Sequence, residues 1–381
     1  MNRRQRTYLI QSTLFVLTLL TTTLAGAEWT WGSSFLEPFR EMGWKQFWSG
    51  LRFSVPFLGV LTVHEFGHYF VAKKNRVKVT LPYYIPIWLG TLTSIGTMGA
   101  FIRIKSQIKT ARQYFDIGIA GPLAGFVAAL GLLWFGFTHL PSLDYLFEIH
   151  PEYKKFGSDY AAFVYQTKRA GNVALGDNLV FWFFRTYVAT DPALIPSAYE
   201  IIHYPYLFAG YLALFFTALN LIPIGQLDGG HILYALIGTK RHRFLSPILF
   251  TLFVIYAGLG VYRMEDFALA NDMDYYEEIG YAVLYMGFLF LMFRRMVQTP
   301  INALIIALCV FLAQMLLPEL IKGLTGYSGF LPFLFFLGRF LGVYHPSAQS
   351  EEPLDWKRKL LGWLALIVFI VCFSPQPFII D

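Results

Sequence analysis

The chain is poor in cysteine and in charge. Its 381 residues include two cysteines, Cys309 and Cys372, both within apolar runs, which excludes a disulfide framework and a thiolate metal site. Both read as small hydrophobes. Charged residues make up 14% of the chain, whereas a soluble domain carries about 25%. A surface that faces water all round is thereby excluded. The charges are also segregated. Residues 73–112 hold no acid, and 264–278 hold no base. The net charge of +6 is therefore no nucleic-acid footprint, because the basic residues cluster at the ends of hydrophobic runs.

Apolar and aromatic residues fill the space. Hydrophobic residues reach 56%, with 38 Phe, 23 Tyr and 9 Trp, and the mean hydropathy is +0.50. Runs long enough to cross about 30 Å of hydrocarbon fall near 8–26, 52–72, 116–138, 205–224, 247–262 and 300–318. Weaker ones lie near 279–293, 329–343 and 360–375. The expected class is an all-α polytopic membrane protein with about six to nine transmembrane helices. The first run, after MNRRQR and before TTLAGAEW, resembles a signal peptide, but its apolar core suits a retained anchor better.

Orientation follows from the basic clusters: 73–112, Lys240, Arg241 and Arg243, and Arg294 with Arg295. Nine spans with the N-terminus inside put them all on the cytoplasmic side. The acidic stretch 264–278 then faces outward, as does a long loop, about 139–204, expected to be partly folded. This divides the chain into an anchor and loop (1–50), a first catalytic segment (51–138), the outer loop (139–204), a second catalytic segment (205–240) and additional C-terminal helices (241–381).

The second run reads FSVPFLGVLTVHEFGHYFVAKK. His64 and His68 are four apart, on one helix face about a turn from each other. Two imidazoles so placed can share a zinc ion, with Glu65 between them as general base. Ionisable residues in an apolar span are costly and mark function. A third ligand is needed, and the fourth run, NLIPIGQLDGGHILYAL, offers Asp228. It is the only carboxylate between Glu200 and Glu265. Pro223 and Gly225 break the helix before it, and Gly229 and Gly230 follow. His231 is the rival ligand. One zinc per chain is expected.

Between the second and third runs, 79–106 is rich in β-branched and aromatic residues, and Pro82 and Pro86 oppose a continuous helix. In AFIRIK, Phe101, Arg103 and Lys105 alternate with Ile102 and Ile104, the period of a strand. We expect a small membrane-associated β-hairpin or sheet here. Gly96, Gly99 and Phe101 are its candidate substrate-binding positions.

HEFGH at 64–68, NLIPIGQLDGGH at 220–231 and IAGPLAG at 119–125 together resemble the site-2 protease family of intramembrane zinc metalloproteases. The likeness covers about 55–125 and 205–240. It implies that His64, His68 and Asp228 bind zinc, that Glu65 is the base, and that Asn220 holds the substrate or the developing oxyanion. An amide in an apolar helix suits that role, by donating to a tetrahedral intermediate. Gly121, Pro122 and Gly125 read as small-residue packing. The outer loop is too short for a complete PDZ domain, which is more like the plastid and cyanobacterial-type branch. Single-span membrane proteins are the expected substrates, the lipid bilayer the expected surroundings. With no transit peptide recognisable before the first run, a bacterial plasma membrane is the expected location. A transporter or metal-handling protein would show polar residues on several spans and a repeat; neither is visible. An inactive scaffold would have lost Glu65 or a ligand.

Overall fold

The computed structural model describes residues 2–37, 42–90, 94–166, 171–267 and 272–380. Positions 91–93 of the expected hairpin segment lie outside them. All nine apolar runs contain helix. Among the described residues four helices are long and apolar enough to cross a membrane unaided: Arg4–Trp31, Ala111–Thr138, Tyr275–Phe293 and Pro300–Leu320. Their outer faces are apolar, with Val127, Trp134, Ile301, Ile305 and Leu320 exposed, as lipid-facing residues are. Cys372 is buried, but Cys309 lies on such an outer face and is exposed, so only one of the two cysteines packs inside.

The chain forms two compact units. One comprises 1–108, 116–220 and 367–381, the other 109–115 and 221–366.

In the first unit, the helix Leu51–Lys74 carries HEFGH. Twenty-four residues at about 1.5 Å each give some 36 Å, enough to cross hydrocarbon, and Lys73 and Lys74 suit the negative end of its dipole. Phe53 stacks on Phe208 at 5.4 Å, and Phe57 meets Phe216 at 5.9 Å, seating this helix against Pro205–Leu221. The first helix, Arg3–Trp31, is part of the same packing. Its Ala25 and Ala27 are fully buried, and a Cβ on Gly26 would stand 2.7 Å from the Phe53 ring. The stretch that reads as a small-residue cleavage site is thus an interhelical contact.

The expected hairpin is present but displaced. Strands β1 (Tyr83–Pro86) and β2 (Thr97–Phe101) pair antiparallel, Tyr83 opposite Phe101 and Pro86 opposite Thr97. AFIRIK contributes only its first two residues to β2, and Ile104 makes a lone bridge with Val79. Pro82, which has no amide hydrogen, stands between that bridge and β1 and interrupts the ladder. Polar groups of the first helix hold the hairpin: the Gln11 side-chain amide donates to the Leu81 carbonyl at 2.6 Å, the Thr21 hydroxyl to that of Gly96 at 2.6 Å, and the Trp29 indole to that of Ser94 at 3.0 Å. The sequence reading saw this helix as an anchor alone. Its interior Gln and Thr residues were the available signal.

The outer loop is folded, as expected. Helices Leu143–Ile149 and Tyr160–Val164 enclose a small core of Leu146, Tyr153 and Tyr160. Its strand β3 (Val173–Leu175) pairs antiparallel with β4 (Phe378–Ile380) at the end of the chain. The Tyr211 hydroxyl lies 2.7 Å from the Gly176 carbonyl and 2.8 Å from that of Pro377. Paired strands share one side of a membrane, so an even number of crossings separates the loop from the C-terminus. The nine-span reading has six.

Helix Pro205–Leu221 ends before the LDGG sequence, and in the second unit a new helical stretch, Asp228–Gly258, kinked at Gly238, begins at Asp228. The linking segment is pinned by the Gly225 amide, which donates to Ser246 Oγ at 3.0 Å, and by Ser246 Oγ, which donates to the Val343 carbonyl at 2.7 Å. A Cβ on Gly229 would come within 2.0 Å of the Leu221 carbonyl oxygen, so only glycine permits this tight return.

The strand pairing sets a test. Single cysteines at Gly157 and Gln376 in reconstituted vesicles should react with a membrane-impermeant thiol reagent from the same side, opposite to a cysteine at Arg76. Labelling of 157 and 376 from opposite sides would refute the even count.

Candidate metal centre

His64, Glu65 and His68 are all buried, at 6%, 5% and 7% exposure. The two imidazoles meet at 3.0 Å between their Nε2 atoms. His68 Nδ1 lies 2.7 Å from the Ile117 carbonyl oxygen. A carbonyl only accepts, so Nδ1 carries the proton and Nε2 presents a lone pair. That lone pair faces His64. Two ring nitrogens brought this close in an apolar setting can share a cation.

The helix Ala111–Thr138 packs directly behind this pair. A Cβ on Gly121 would lie 2.1 Å from His68 Nε2, and one on Gly125 would lie 3.2 Å from His64 Cβ. Reciprocally, a Cβ on Gly67 would fall 2.6 Å from the Ala120 carbonyl oxygen. Small residues let the helices touch backbone to backbone, and this contact locks the imidazole rings. Gly121 and Gly125 read as packing residues from sequence. Gly67, inside the HEFGH motif itself, was overlooked, because its role depends on a helix some fifty residues later.

His64 and His68 belong to the first unit and Asp228 to the second; two imidazole nitrogens and a carboxylate oxygen are the donor set of a hydrolytic zinc site with a coordination position left for water, and these residue types fit such a site. Asp228 is half-buried at the first turn of its helix. His231, the rival, is engaged elsewhere: its Nδ1 lies 2.7 Å from His345 Nε2. His345, in the segment after the last 3-10 and π turns, is half-buried, and that burial, with His231 beside it, pushes its pKa down to about 3.

A narrow cleft opens beside the histidines, lined by His64, Gly99, Gly125, Phe216, Thr217 and Asn220. Asn220 is half-buried near the end of its helix. The hairpin reaches this cleft through Gly99, and the Tyr84 hydroxyl lies 2.8 Å from that of Thr62, one turn before Glu65. Gly96 and Phe101 are outside the lining. Gly96 has φ 84°, and a Cβ there would meet Thr22 Cα at 2.2 Å, so it serves packing on the first helix. Phe101 stacks on Tyr83 at 5.6 Å and is 47% exposed.

Residues 52–259 match the model of peptidase family M50. The probable zinc metalloprotease EGY2, chloroplastic, of Oryza sativa subsp. indica is 29% identical over 220 residues, 57% of this chain and 33% of that protein. The probable zinc metalloprotease EGY1, chloroplastic, of Oryza sativa subsp. japonica is 34% identical over 183 residues, 47% of this chain and 27% of the relative. In Arabidopsis thaliana, the probable zinc metallopeptidase EGY3, chloroplastic, is 26% identical over 194 residues, 50% and 30% of the two chains. The chain thus spans about a third of the length of these relatives, or less. No solved structure matches. The relatives are named chloroplastic, which overturns the expectation of a bacterial plasma membrane. Span length and charge asymmetry report a bilayer and an orientation, and they carry no mark of which membrane it is.

The Gly121 contact can be tested with an internal control. Gly121→Ala should push His68 aside and weaken zinc retention by about tenfold or more, as disturbing the groups that orient metal ligands does. Gly131→Ala in the same helix, where an added Cβ meets nothing within 4 Å, should leave it unchanged. Equal zinc content in both variants, measured by elemental analysis, would remove the positioning role.

Proposed function

Because the chain belongs to peptidase family M50, we propose that it is a zinc metalloprotease that hydrolyses peptide bonds of membrane-spanning substrates within the bilayer of a plastid-type membrane. The observation that carries this reading is the buried His64–Glu65–His68 face of a largely apolar helix, its two imidazoles meeting at 3.0 Å. Ionisable groups are retained at such depth for chemistry.

His64, His68 and Asp228 would hold the zinc. Bound there, zinc supplies a Lewis acid and brings the pKa of a coordinated water to about 7. The protein's own groups do the rest. Glu65 takes the proton from the attacking water and passes it to the leaving amine nitrogen. Asn220, which lines the same cleft as His64, donates its side-chain N–H to the oxyanion as the carbonyl becomes tetrahedral. Phe57, Phe216 and the apolar helix faces limit water to what the reaction needs.

A substrate helix conceals its peptide bonds in its own hydrogen bonds and must unwind before attack. β2 pairs with β1 along one edge and has no second strand partner among the described residues. An unwound segment can add to that edge through main-chain hydrogen bonds, which brings it to the cleft at Gly99. The favoured partners are therefore single-span membrane proteins.

Two experiments bear on this. Glu65→Gln should keep its zinc yet cleave a reconstituted single-span substrate about a hundred- to ten-thousandfold more slowly, while Asp228→Ala should lose the metal. Full zinc and activity in Asp228→Ala would remove it as third ligand. Solute uptake by the reconstituted chain without any cleavage would favour a transporter. For the hairpin, proline placed in turn along 97–101 should abolish cleavage at alternate positions with zinc retained, because proline deletes a ladder donor. Uniform tolerance would leave the hairpin only a covering role.

A further inference from the structure

A second group of metal-ligating side chains lies in the first unit, outside the spans: His150, Glu200 and His203, with ligand atoms all within 4.8 Å. The protease reading makes no use of it. His203 is buried, and its Nδ1 lies 2.8 Å from the Thr30 carbonyl oxygen. His150 Nδ1 lies 3.2 Å from Glu152 Oε1. Both partners are acceptors, so both Nδ1 atoms carry protons and it is the Nε2 atoms that turn inward. Those two Nε2 atoms face each other at 3.3 Å.

Glu200 completes the arrangement. Its side chain is wholly buried, and one carboxylate oxygen accepts from the Tyr165 hydroxyl. The other, Oε2, has no hydrogen-bond partner and points at the histidines, 3.5 Å from His203 Nε2 and 4.0 Å from His150 Nε2. A buried carboxylate oxygen with no donor is costly, and burial raises the Glu200 pKa. Two imidazole nitrogens and a buried carboxylate oxygen therefore converge on one point.

A proton satisfies one of these three pairs and leaves the other two opposed. A metal ion satisfies all three. Donors about 2.1 Å from a tetrahedral zinc stand roughly 3.4 Å apart, close to the 3.3, 3.5 and 4.0 Å observed here. The pair at His64 and His68 has the same design, an Nδ1 tied to a backbone carbonyl and the Nε2 atoms opposed. Imidazole with carboxylate suits zinc.

We propose that His150, Glu200 and His203 bind a second divalent zinc ion, distinct from that of the HEFGH helix, which ties the outer loop to the first helix. The His150 side chain is 17% exposed, which leaves a path for the ion and a fourth position for water. Through His203 and the Thr30 carbonyl, the ion fixes the end of the helix that holds the hairpin. The site is structural, so it stands or falls apart from the protease reading.

The full chain in detergent, loaded with excess zinc and desalted, should retain two zinc ions. His150→Ala and His64→Ala should each retain one, and the double variant none. In cobalt-substituted His64→Ala protein, visible ligand-field bands should persist and vanish on adding His150→Ala. No zinc in His64→Ala would overturn the proposal, as would equal content in wild type and His150→Ala; one zinc in both wild type and His64→Ala would instead count against the HEFGH site. Should His150→Ala fail to fold, the wild-type and His64→Ala stoichiometries decide the matter alone. A proton shared by the three side chains, in place of a metal, gives the overturning result.

Discussion

Two imidazole nitrogens face each other at 3.0 Å inside a helix made for hydrocarbon. The rest of the first unit is arranged around that pair. No water is at hand to satisfy such groups, so each polar atom at that depth must find its partner within the protein. One His68 nitrogen is held by the Ile117 carbonyl, and glycines at 67, 121 and 125 let the two backbones close enough to hold the rings. The imidazoles are thereby turned toward one another, in an arrangement suited to sharing a cation.

The same requirement shapes the neighbouring elements. The hairpin is irregular backbone beside a membrane-spanning helix, and its carbonyls at 81 and 94 are met by Gln11 and Trp29 of the first helix, while that of Gly96, which accepts from the Ile87 amide at 3.2 Å, also takes the Thr21 hydroxyl. A helix of apolar residues alone would supply none of these donors, and a buried carbonyl left without one costs several kcal/mol. In the second unit, the break before Asp228 is closed by Ser246 and by glycine packing. Irregular structure at depth is affordable only where side chains from elsewhere supply the missing bonds.

Several features were readable from sequence because they depend on local pattern. Apolar run length gave the nine helical regions, and i, i+4 spacing gave the histidine pair. Pro223 and Gly225 marked the helix break that puts Asp228 at a helix start. The hairpin was legible as a segment but misplaced in register, because the alternation in AFIRIK is a local signal whereas the ladder is ended by Pro82 on the opposite strand. The pairing of β3 with β4 joins residues about two hundred positions apart and has no local signature. The Glu200–His203 spacing was visible in the sequence, but neither its burial nor its meeting with His150 was.

By itself the sequence determined that this chain is an all-α membrane protein, that its basic residues gather at the ends of apolar runs, and that two histidines and a glutamate of a metal-binding motif lie in an apolar helix. Hydrophobic length, charge placement and helical periodicity are properties of contiguous residues, and each has a direct physical meaning. Only the tertiary structure decided that Gly67 and Gly121 lock the histidine rings, that Gly99 reaches the cleft while Gly96 packs on Thr22, and that three polar residues of the outer loop converge on one point. These are close approaches between segments far apart in the chain, and their distances are set by packing.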